Sequence, residues 1–100
     1  MKGLPLLVIK KQIAIVKNEK DEGKIKQAIA ELMRFNSLTF WQWKKVLKRL
    51  FRKKFSDRHF IYSIYVMACQ KIKETKIPSK IAREFSDWFW KKYKKLYNLK

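Results

Sequence analysis

Apolar residues recur along nearly the whole chain at steps of three and four, the spacing that gathers them on one side of an α-helix. Leu6, Ile9, Ile13 and Val16 form the first stripe. Pro5 suits a first helical position, because the N–H it lacks would have no helical partner there. The β-branched residues within 4–16 would also allow a strand. Nothing in that segment turns the chain into a hairpin, so a helix over about 5–20 is the preferred reading. The mixed-charge run 17–22 ends at Gly23, which predicts a helix stop. Ile25, Ala28, Ile29, Leu32 and Met33 make a second stripe, on a helix over about 24–35. Asn36 and Ser37 interrupt it, and either can cap the next helix.

A third helix is expected over about 38–54. Ser56 can cap a fourth over 57–75, and Pro78 with Ser79 divides that from a fifth over 80–97. Five helices with short connections predict an all-α fold, a compact bundle of four to five helices forming one domain over residues 1–100. The fourth helix is apolar on almost every side, through Phe60, Ile61, Tyr62, Ile64, Tyr65, Val66, Met67 and Ala68. Such a helix belongs in the middle of a bundle, with its tyrosine hydroxyls bonded or at the rim.

Composition changes this picture in one respect. The 100 residues include 26 Lys or Arg against 8 Asp or Glu, a formal net charge of +18. With 47% hydrophobic residues the chain is too apolar to be a disordered basic tail. The charge repels itself and calls for a polyanionic partner. Only five of the cations are Arg. Lys acts as a flexible point charge where Arg makes planar bidentate contacts, so the balance favours phosphate backbone over base edges. The single Cys excludes an intrachain disulfide framework and a multi-Cys zinc site.

The third helix sharpens the expectation. At about 100° per residue, Lys44, Lys45, Lys48, Arg49, Arg52 and Lys53 fill one half of its circumference. Phe40, Trp43, Val46, Leu47, Leu50 and Phe51 fill the other. Residues 44–53 rise about 15 Å, the length of about four to five duplex steps. Arg34 precedes this helix, and Lys54 and Arg58 follow it. Trp41 and Phe55 project onto the basic side, where an aromatic ring can stack on an exposed base. The fifth helix repeats the design more weakly. Ile81, Phe85, Trp88, Phe89, Tyr93 and Leu96 cover one broad side, and Lys91, Lys94 and Lys95, with Arg83, lie mainly on the other. Lysines at a helix C-terminus also favour the helix dipole, which is an equally good account of them.

Catalytic chemistry is poorly provided for. His59 is the only histidine, and Cys69 lies about 15 Å further along the same expected helix. Cys69 reads as a core thiol. Glu84 and Asp87 have a spacing that could hold a metal, but near a helix N-terminus the dipole accounts for them. Gly3 and Gly23 are isolated and make no phosphate loop. No zinc-finger spacing, GxxG clamp or secure helix-turn-helix is present. A non-enzymatic protein without cofactor or metal is therefore expected.

The expected function is contact with nucleic acid, DNA or RNA, mainly through its phosphates, as a small structural subunit of a nucleoprotein assembly. Self-association or neighbouring subunits would be its protein partners. Two other readings compete. A membrane-active cationic, toxin-like protein would use FWQWKKVLKRLFRKKF as an interfacial helix, and an interaction module would bind an acidic protein. Membrane is the less expected partner, since the longest uncharged stretch, between Arg58 and Lys71, is too short to cross a bilayer. The apolar run 4–9 is short for a signal peptide. A cytoplasmic location, or one inside a nucleoprotein particle, follows from that reading.

Overall fold

The ends of the helices are set by short polar side chains. Asp21 caps one helix by accepting from the N–H groups of Gly23 and Lys24, at 2.8 and 3.3 Å. Thr39 caps another in a capping box, with its hydroxyl on the N–H of Gln42 and the Gln42 side chain returning to the N–H of Thr39. Asp57 caps a third by accepting from the N–H of Phe60. Each bond satisfies a backbone donor that the helix leaves without a partner. In the computed structural model, which describes residues 5–36 and 38–99, the resulting helices are α1 (Leu6–Asn18), α2 (Glu22–Arg34), α3 (Phe40–Arg52), α4 (Arg58–Glu74) and α5 (Ser79–Leu96). The all-α fold expected from the periodicity is the fold observed, and residues 6–18 are helix rather than strand.

Several local expectations are corrected. Gly23 is not a stop. It is the second residue of α2, and a Cβ there would lie 3.1 Å from the capping Oδ1 of Asp21. Within the mixed-charge run, Glu19 shapes the turn before α2 by accepting from the N–H groups of Lys20 and Asp21. Thr39, not Asn36, caps α3, and Asp57, not Ser56, caps α4. Ser37, the other candidate cap, lies outside the described residues, as do Gly3 and Leu4.

Glycine is not used to end these helices. Asn36, Lys54, Lys76 and Asn98 take the left-handed conformation at φ 49°, 56°, 53° and 56°. After α3, the N–H of Phe55 returns to the carbonyl of Leu50 and that of Lys54 to Phe51. This is the paired closure of a Schellman motif. Matching bonds run from Ile77 to Ile72 after α4, and from Leu99 to Lys94 after α5. A lysine in this conformation is strained by about 1–2 kcal/mol. Part of that returns through the greater freedom glycine has when unfolded. Lys76→Gly is expected to stabilise the protein by about 0.5–1 kcal/mol, read as a higher urea midpoint at unchanged slope.

The chain forms two compact units, Met1–Leu38 and Thr39–Lys100. In the first, α1 packs on α2, with Val16, Ile25, Ala28, Ile29 and Leu32 buried. In the second, α3, α4 and α5 pack on one another, and α3 has the most extensive packing. The central helix is thus α3 rather than the fourth. Ile61, Ile64 and Ala68 of α4 are buried, but Tyr62 and Val66 are 44% and 38% exposed. In a unit of three helices each has two neighbours, so α4, like α3, turns one side outward, whatever residues that side carries.

The interior of the second unit is largely aromatic. Phe85 meets Phe40 edge-on at 5.0 Å, and Tyr65 stacks on Phe89 at 4.1 Å. On α4 the Tyr65 hydroxyl bonds Ser86 Oγ at 2.7 Å and Tyr62 lies exposed, as expected of that helix, while at α5 the hydroxyl of Tyr93 donates to the carbonyl of Arg58 and that of Tyr97 to the carbonyl of Phe55. Burial holds the Tyr65 phenol above its ordinary pKa.

Candidate nucleic-acid interface

The apolar side of α3 is committed to the interior except at Phe51, which is half-buried at its edge. Phe40, Trp43, Val46, Leu47 and Leu50 are each at most 4% exposed. Burying that side fixes the rotation of the helix, and the rotation fixes where its cations point. Lys45, Lys48 and Arg52 are exposed, and Lys44, Arg49 and Lys53 are half-buried. Lys53 is the C-terminal cap, and Lys54 and Arg58, both exposed, follow on the turn into α4. Among the described residues no carboxylate comes within ion-pair distance of Lys44, Lys45, Lys48, Arg49, Arg52 or Lys54.

Trp41 belongs to this surface. It is 48% exposed, touches Phe40 edge-on, and carries the Lys44 ammonium 6.0 Å from its ring centre. Phe55 does not belong to it, contrary to the helical projection. The helix ends at Arg52, the left-handed Lys54 reverses the chain, and Phe55 turns inward to 1% exposure against Phe60. Projecting Phe55 along a continuing helix placed it on the wrong side.

On α5 the lysines divide. Lys91, Lys94 and Lys95 are all exposed, but only Lys95 shares a cleft with α3. That cleft, of about 690 Å³, is lined by Lys48, Phe51, Arg52 and Lys54 on one wall and by Trp88, Lys92, Lys95 and Leu96 on the other. The cleft thus adds Lys92 to the expected cations and gives Phe51, Trp88 and Leu96, expected only as apolar faces, a share in the site. Trp88, Lys92 and Lys95 stand at steps of four and three, so their shared side was legible. What the periodicity lacked was the partner: which row of α3 they face.

Arg34 lies in the first unit, exposed at the last turn of α2, with its guanidinium 5.5 Å from the ring centre of Phe35. The second unit's acids are occupied or elsewhere. Asp57 caps α4, Glu74 pairs with Lys71 at 3.3 Å, and Glu84 and Asp87 are outside the cleft lining. His59 is exposed and Cys69 is half-buried. Among the described residues no cluster of His, Cys, Asp or Glu could hold a metal ion, and no helix is long and apolar enough to cross a membrane.

No family model, curated protein or solved structure matches this chain. The site's own chemistry carries the functional argument.

Proposed function

We propose that this is a non-enzymatic nucleic-acid-binding protein that holds the phosphate backbone on the cationic side of α3. One observation carries the reading: Lys44, Lys45, Lys48, Arg49 and Arg52 sit on one rigid helix, without carboxylate partners among the described residues. Cations held together this way repel one another, and a polyphosphate relieves that repulsion while releasing its condensed counterions. Lys predominates over Arg, which suits backbone contact with little base reading. The exposed Trp41 adds a ring on which an unpaired base can stack. Lys53, Lys54, Arg58 and Lys95 extend the cationic surface within the second unit, and the exposed Lys91 and Lys94 of α5 and Arg34 of the first unit are further candidate phosphate contacts, each by itself.

The same packing argues against the interfacial-helix reading. An amphipathic helix binds membrane by its apolar side, and on α3 Phe40, Trp43, Val46, Leu47 and Leu50 of that side are buried. The outward Tyr62 and Val66 of α4 offer a surface for a neighbouring subunit, in keeping with a structural role in a nucleoprotein assembly.

The test is a salt series. With about five phosphate contacts, affinity for mixed-sequence DNA or RNA should fall by roughly two to three orders of magnitude between 50 and 200 mM salt. Sequence should matter little. An affinity that stays constant over that range overturns the proposal.

A further inference from the structure

The cleft between α3 and α5 has two properties that no single bland role supplies. Five cations line it: Lys48, Arg52 and Lys54 from α3 and the turn beyond it, and Lys92 and Lys95 from α5. No carboxylate is among its described lining residues. Its remaining lining is apolar and mostly aromatic: Phe51, Trp88 and Leu96, each half-buried. Phe51 and Trp88 meet edge-to-face at 5.6 Å, so the two rings brace each other at right angles instead of closing face to face. Phe51 also meets Phe89 at 5.7 Å and Trp88 meets Phe85 at 5.9 Å, so both rings are held from within the unit and present to the cleft only the sides these neighbours leave open.

The two properties constrain the occupant. It must carry anionic charge on both sides of the cleft, and it must offer something flat and apolar to the floor. The charges are not gathered at one end, as a single headgroup would require. They recur at Lys48, Arg52 and Lys54 along one wall and at Lys92 and Lys95 along the other, one helical turn or less apart. Repeated anions on a backbone that carries flat rings at its side describe an unpaired polynucleotide strand. In a duplex the bases are stacked inside, out of reach of Phe51 and Trp88.

Resting on the nucleic-acid reading above, we infer that the α3–α5 cleft is a single-strand track, with phosphates on its lysines and Arg52 and a base against the Phe51–Trp88 floor. Lys92 is a phosphate contact in this assignment. The protein therefore prefers unpaired strands to duplex, and the ring that decides the preference is Trp88, not Trp41.

The assignment is tested on the full chain with a 12-nucleotide oligo(dT), an oligo(U) of equal length and a blunt DNA hairpin. Trp88→Leu keeps an apolar side chain on the floor but removes the stacking face. It should weaken oligo(dT) and oligo(U) binding about tenfold and change hairpin binding by less than about twofold. Lys92→Gln should weaken single-strand binding and lower its log–log salt slope by about 0.7. Circular dichroism monitors the fold, and should Trp88→Leu not fold, the salt slope of Lys92→Gln decides. If both variants fold and bind every probe like the parent, or weaken strand and hairpin equally, the track is wrong while the α3 surface stands. A selective single-strand defect in Trp41→Leu instead of Trp88→Leu also overturns it. So does Trp88→Leu weakening the binding of phosphatidylglycerol vesicles while leaving oligo(dT) untouched. Failure of the parent protein to bind any of the three nucleic-acid probes removes the α3 surface and the track together.

Discussion

Replacing Lys44, Lys48 and Arg52 together by Glu is expected to abolish nucleic-acid binding at moderate salt while leaving the helical circular dichroism unchanged. The three stand at steps of four on α3, on the row that carries Trp41 and turns toward the cleft. None has a carboxylate partner among the described residues, so reversing them breaks no ion pair in the fold. Each reversal takes away a cation that holds a phosphate and puts a repelling carboxylate in its place. The log–log salt slope on duplex should shrink by about 0.9 for every phosphate the variant no longer neutralises. The variant remains strongly cationic, which makes the result diagnostic. Reversing the exposed Lys10, Lys11 and Lys17 of α1 changes the net charge by the same amount. That control should retain most of the affinity. Equal weakening in both would mean that bulk charge binds and that α3 has no special place. Disappearance of the helical signal in the first variant would mean that these side chains are structural.

The largest stability effect is expected at Trp43. Its side chain is 0% exposed on the central helix of the second unit. Trp43→Ala removes the bulkiest wholly buried side chain and leaves a cavity, at a cost of about 3–5 kcal/mol. That is a large part of the total stability of a chain this small. The indole brings a cost of its own: its Nε1–H is buried with no acceptor among the described residues. An orphaned donor of that kind opposes folding by about 1–3 kcal/mol. Trp43→Phe removes the donor while keeping a ring, so it should destabilise far less than Trp43→Ala. Thermal or urea melts of the two variants decide the matter. Equal destabilisation would mean that the Nε1 is bonded in solution and that removing it costs as much as the missing ring atoms.

Much of the fold was legible because its cause is local. The apolar stripes of α1, α2, α3 and α5 follow the helical period, and each forms a helix within a few residues of the expected bounds. Cap choice was less legible. Asn36, Ser37 and Thr39 are all competent N-caps by residue type, and so are Ser56 and Asp57. Thr39 prevails through the reciprocal bond of Gln42 three residues on, a pattern that can be read in the sequence once both ends are considered. The role of α4 was misjudged for a different reason. Hydrophobicity on every side measures what a helix could bury, not how many neighbours it will have.

The chain's order of residues alone determined that α3 has a greasy side and a cationic side, because 3.6 residues per turn sorts side chains without help from the rest of the molecule. Tertiary structure decided what the cationic side faces. Packing against α5 set Lys92, Lys95 and Trp88 across from Lys48, Arg52 and Phe51, far apart along the chain. The left-handed turn at Lys54 drew Phe55 into the interior. Periodicity is a property of neighbours in sequence, whereas a cleft belongs to two helices at once, and its contents depend on how each is rotated when its buried side is satisfied.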